Sequence, residues 1–173
     1  MRVARAAADY RRFVGEVRRF AGPGAIDRMP RVHRFLGRLA VVRAWRDQPD
    51  GVRGLLCADD ERRGVYHLDG ALRAALRRDG AVFDERECLH LVPSVARLEW
   101  CGDVERALDE AAATAAGRAG VPICLFTHES HLRAWHVQQR LAEALRWARR
   151  RGAGHAFPLD VLEAHARASR SFT

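Results

Sequence analysis

Three short stretches end an apolar run in side chains able to do chemistry. They are Arg31-Val32-His33-Arg34-Phe35, Cys57-Ala58-Asp59-Asp60-Glu61 and Leu125-Phe126-Thr127-His128-Glu129. The third is the sharpest. An apolar run there delivers His128 to a strand end, and an imidazole titrates close enough to neutrality to take or give a proton. Glu129 follows it directly and is expected to orient the ring or hold its positive form. A histidine that only hydrogen-bonds its own loop is the competing reading. Asp59 and Asp60 are adjacent carboxylates and point differently, so one can ligate while the other takes a proton. Asp60 is assigned the proton and Asp59 a binding role, against the alternative of a helix cap or solvated turn. Arg31 and His33, two apart, share one face of an extended segment and are candidate binding residues. A plain surface strand explains that pair equally well.

Metal-ligand patterns are weak. His128-Glu129-Ser130-His131 is one residue short of the zinc-protease signature, so its imidazoles do not share a helix face. His131 and His136 are also misaligned on a helix. Cys57, Cys88, Cys101 and Cys124 form no C-x-x-C pair. Cys57 and Cys124 lie inside apolar runs and are expected to be buried free thiols of a reducing compartment. His67, His90, His155 and His165 have no evident partners in the sequence.

The elements that must position these groups alternate between helix and short strand. Amphipathic helices are expected over Ala4 to Phe20, with Tyr10, Phe13, Val14 and Val17 on one side, and over Leu39 to Trp45. Asp69 and Asp103 are expected to cap two more helices. Trp135 to Arg150 is the clearest helix, with Val137, Leu141, Ala144, Leu145 and Ala148 as its apolar stripe. Asp160 to Ala168 is a closing one. Strands are expected at Val32 to Leu36, Gly54 to Ala58, Cys88 to Val92, Pro122 to Thr127 and His155 to Phe157. This order predicts an α/β layer fold with mostly parallel strands, in which function gathers at the carboxyl ends of the strands.

Composition fits one soluble domain over residues 1–173, with 48% hydrophobic and 30% charged residues. No apolar run reaches the ~18 residues of a membrane span, and no secretory leader is evident, so a cytoplasmic location is expected. The formal net charge is +8, and all thirty basic residues are Arg. They are spread along the chain with acids between them, and the densest run, Arg146 to Arg151, ends a helix where cations suit the dipole. No specific nucleic-acid partner is expected.

With those residues in place, the chain resembles the polysaccharide deacetylase family, the NodB-homology carbohydrate esterases, in the later part of such a domain. The stretch Ile123 to Glu129, a long helix, then Gly152-Ala153-Gly154-His155-Ala156-Phe157-Pro158 is similar to the family's closing unit. Gly54 to Asp60, Tyr66-His67-Leu68, and Leu91-Val92-Pro93 through Arg97-Leu98-Glu99 look like a bacterial branch, and Arg31 to Phe35 sits where the family places an Arg-bearing strand. The resemblance implies a partial or deformed NodB-like (β/α) barrel with mostly parallel strands. It implies hydrolysis of acyl groups from carbohydrate, with a divalent metal such as zinc, a carboxylate base, and His128 as the acid that protonates the leaving group. Trp135, close to the His128 loop, would wall the sugar pocket. The family's H-x-x-x-H metal motif is missing from the chain. Three explanations compete: a fragment or mis-started frame, a lost site, or a different site built from His33, Asp59, Asp60 and His128. A module of the same fold that binds carbohydrate or a partner chain without catalysis is the alternative. An open sheet edge would invite a second copy or a partner.

Overall fold

The computed structural model describes residues 3–32, 37–57, 67–115 and 121–170. The candidate residues His33, Asp59 and Asp60 lie outside them. The chain is a mixed α/β fold with a mostly parallel sheet. In order it forms α1 (Val3–Ala21), α2 (Leu39–Arg46), β1 (Gly54–Cys57), α3 (Gly70–Asp79), β2 (Val82–Asp84), β3 (Leu89–Arg97), α4 (Val104–Ala115), β4 (Cys124–Phe126), α5 (Trp135–Arg150) and α6 (Pro158–Arg170). No helix among the described residues is long and apolar enough to cross a membrane.

β3 is the strand on which the sheet is built. It pairs in parallel with β1, Gly54 opposite His90 and Cys57 opposite Pro93, and in parallel with β4, Arg97 opposite Phe126. It pairs antiparallel with β2, Val82 opposite Leu91. The free edge of β1 carries a further extended segment. Arg53 N–H donates to Arg28 O at 2.8 Å and Leu56 N–H to Pro30 O at 3.2 Å, so residues 28–32 run alongside β1 in the same direction. Gly54 is required by this crowding: a Cβ there would come within 2.5 Å of His90 O and 2.7 Å of the Met29 terminal methyl.

Alternation along β3 feeds both faces of the sheet. Leu89 and Leu91 join Val42, Val52, Leu55, Cys57, Leu68 and Leu76 in one cluster beneath α2 and α3. Val92 points the other way, to Met29, Cys124 and Leu159, the last of these from α6. A further cluster of Leu98, Val104, Leu108, Val137, Ala144 and Trp147 binds α4 and α5 beyond the end of β3. The caps fall where their residue types require. Asp69 Oδ1 accepts from Leu72 N–H at 2.8 Å, Asp103 Oδ1 accepts from Arg106 N–H at 2.9 Å, and Gly80 closes α3 with a φ of 72°.

Several expectations are corrected. β3 runs five residues past Val92, through Pro93, because β2's ladder has ended at Leu91 and β4's begins only at Ser94. β2 itself was not expected, and it adds an antiparallel hairpin. His155 to Phe157 forms no strand. Phe13 is 60% exposed, since α1 packs through Ala6, Val14 and Tyr10, whose ring stacks on Trp45. On α5 the buried line is Val137, Ala144 and Trp147, while Leu141 and Leu145 are exposed; Trp147 turns the helix by donating to Asp109 Oδ1 on α4. Two members of the basic run pair with α4 acids, Arg150 with Glu105 at 2.7 Å and Arg151 with Asp109 at 2.6 Å. Cys57 and Cys124 are buried free thiols, each pushed up to about 12 by burial.

Candidate functional site

The parallel register of β3 and β4 brings two strand ends together. Arg97 lies opposite Phe126, and Leu98 N–H donates to Phe126 O at 2.9 Å. Two residues further along each strand, Glu99 and His128 therefore meet on the same side. His128 Nδ1 is 2.5 Å from Glu99 Oε1, and Arg97 Nε donates to the same oxygen at 2.6 Å. The segment beside β1 supplies the third side: Arg31 Nη2 lies 3.2 Å from His128 Nε2, and its guanidinium sits over the Phe126 ring.

The carboxylate at Nδ1 and the Arg31 guanidinium at Nε2 favour one tautomer of the neutral ring, against the Arg97 guanidinium beside Nδ1. A guanidinium has only donors, so the Nε2 facing Arg31 must present its lone pair. The neutral ring then carries its hydrogen on Nδ1 and donates it to the Glu99 carboxylate. Arg97 Nη2, 2.9 Å from Nδ1, is drawn there by the carboxylate both groups share. Glu99 is the electrostatic anchor. Its side chain is 1% exposed, and burial alone would push its carboxyl up. Hydrogen bonds from Arg97 and His128 outweigh burial and hold it at about 2. The ring itself remains 21% exposed, open to a reactant. Once Arg31 leaves its second nitrogen, a carboxylate–imidazole pair can accept a proton from water there and return it to a leaving group.

The sequence-derived candidates divide. Arg31 is brought to His128 as a neighbour. Glu129 is not the carboxylate on the ring: it is exposed at the first position of the turn Glu129–His131, and Glu99 takes that place. The reason is geometric, since the residue after His128 turns away as the strand ends, whereas a neighbouring parallel strand can present a carboxylate to Nδ1. Trp135 stands 71% exposed at the start of α5. Arg97 and Glu99 were not picked out as site residues. The signal was an alternating Arg-x-Glu at the end of the longest apolar strand, masked by Pro93.

The resemblance implies a divalent metal, and the candidate donors His33, Asp59 and Asp60 lie outside the described residues. No three His, Cys, Asp or Glu side chains come together to hold a metal among the described residues. His128, a member of the alternative set His33, Asp59, Asp60 and His128, gives Nδ1 to Glu99 and faces a guanidinium with Nε2. Set against known proteins, the chain matches no family model, no curated protein and no solved structure.

Proposed function

We propose that the chain is a polysaccharide-deacetylase-like hydrolase acting on acylated carbohydrate, with Glu99 and His128 as its proton-transfer pair. The observation that carries this is the hydrogen bond from His128 Nδ1 to a buried, ionised Glu99 at the carboxyl ends of two parallel strands. His128 Nε2 takes a proton from water as the water oxygen attacks the acyl carbon. The tetrahedral adduct then breaks its bond to the sugar oxygen or nitrogen, and the imidazolium returns the proton to that leaving atom. Acetate and free sugar are the products. Glu99 stabilises the imidazolium between the two steps without itself taking the proton. The Arg31 guanidinium lies where the adduct's negative charge develops beside Nε2, and charge placed there favours the transition state. Trp135 offers an exposed aromatic face for a sugar ring. The sheet on this reading is one wall of a deformed (β/α) barrel.

One observation favours a second reading, a module of this fold that binds carbohydrate or a partner chain without turnover. Arg31 already engages the nitrogen that catalysis needs, so a substrate must move it. Acetate release from a panel of acetylated chito- and xylo-oligosaccharides decides between them. Turnover by the wild type that falls at least ~100-fold in His128→Gln, the scale of a lost acid–base group, is the expected result. Oligosaccharide binding with no acetate release overturns the hydrolase and leaves the module.

A further inference from the structure

Two oxygens are left over beside the dyad. Glu99 Oε2 and Thr127 Oγ1 are both buried, and neither meets hydrogen-bond geometry with a partner among the described residues. One is an acceptor in need of a donor, and the other carries a hydroxyl able to donate. A buried carboxylate oxygen without a donor is costly, and native proteins rarely leave one so. The remaining donors around Glu99 are committed to Oε1, Arg97 through Nε and His128 through Nδ1.

We propose that Thr127 is a positioning residue whose hydroxyl donates to Glu99 Oε2, pinning the carboxylate so that Oε1 stays on His128 Nδ1. The register that sets Arg97 opposite Phe126 puts Thr127 beside Leu98 and Glu99, and the Thr127 hydroxyl helps to hold the carboxyl ionised; such bonds tighten when a site fills. With Oε2 anchored, the carboxylate does not swing about its terminal torsion, which is broad in glutamate. The proton therefore stays on Nδ1 and the lone pair on Nε2. As a statement about catalysis this rests on the dyad reading above; as a statement about the ring's tautomer it does not.

The test uses the full chain labelled with 15N-histidine, comparing wild type, Thr127→Val, Thr127→Ser and Thr127→Ala. In the wild type and Thr127→Ser the His128 nitrogen shifts should report the Nδ1–H form. In Thr127→Val they should move towards a mixture of tautomers. Acetate release should fall about tenfold in kcat with KM unchanged, the worth of one hydrogen bond to a charged group, and Thr127→Ser should restore it. If Thr127→Val does not fold, Thr127→Ser against Thr127→Ala isolates the hydroxyl. An unchanged tautomer in the variants that lack the hydroxyl overturns the proposal. A tautomer change in Thr127→Val or Thr127→Ala, beside a wild type that releases no acetate, removes the hydrolase reading and leaves the positioning role of Thr127 standing.

Discussion

Two imidazole–carboxylate pairs stand among the described residues, and their surroundings give them opposite capacities. His67 Nε2 meets Asp84 Oδ2 at 3.1 Å, with side chains 13% and 2% exposed. Its Nδ1 is buried without a partner among the described residues. Asp84 ends β2, and its other oxygen accepts from Arg86 N–H in the hairpin turn. This pair ties the residue two before α3's Asp69 cap to the hairpin. His128 makes a comparable bond to Glu99, yet stands at the mouth of two parallel strands with two guanidiniums beside it. The chemistry of the couple is shared. The surroundings of the second nitrogen are not: on His128 it faces the Arg31 guanidinium in a side chain 21% exposed, and on His67 it is buried.

Exchanging each histidine for glutamine should break this comparison most visibly. His128→Gln should lower acetate release at least ~100-fold and cost less stability than the change at His67, because Glu99 keeps Arg97 as a donor. His67→Gln should retain acetate release and lose about 1–3 kcal/mol of stability, because Asp84 is left buried without its donor. Denaturant titration alongside an acetate assay reads both, and a large stability loss in His128→Gln would make it a clamp like His67.

Glu99 sharpens the contrast by pH. A carboxyl held at about 2 in the folded chain and near its ordinary value when unfolded stabilises the fold above that ordinary value. The contribution drains as the pH falls from about 5 to about 2. Glu99→Gln should therefore cost about 2 kcal/mol at neutral pH, where it leaves Arg97 unpaired in a half-buried place. Its deficit against wild type should shrink across the acid window. A deficit that is constant with pH, measured by urea unfolding at several values, would contradict an ionised Glu99.

The smallest effect is expected at Arg31. Arg31→Lys keeps a charge near Nε2 but loses the planar fork, so kcat should fall by about tenfold or less with the fold intact. Steady-state kinetics against the folded Tm measure it. An increase in activity would mark Arg31 as a plug on the nitrogen rather than a stabiliser of charge.

Much of the framework was legible from residues alone. The capped helices at Asp69 and Asp103 start where their side chains accept from the helix N–H groups, and α5 spans the same residues that its pattern predicts. The apolar runs at Gly54 and Cys124 became strands because each is short, apolar and bounded by turn residues. The length of β3 was not legible, since a proline reads as a stop until its neighbours show that a gap between two ladders admits it. Nor was the partner of His128. Glu129 is adjacent in sequence and Glu99 is twenty-nine positions away.

The chain's own order of residues decides which side chains can reach a strand end, because alternation and capping are local and need only a few neighbours. It thereby placed His128 after β4 and Arg97 and Glu99 at the end of a run. Which carboxylate faces which nitrogen was decided by the parallel register of β3 against β4 and by the segment laid along β1. Those alignments join residues far apart in the chain, and they are set by how the whole sheet buries its two faces.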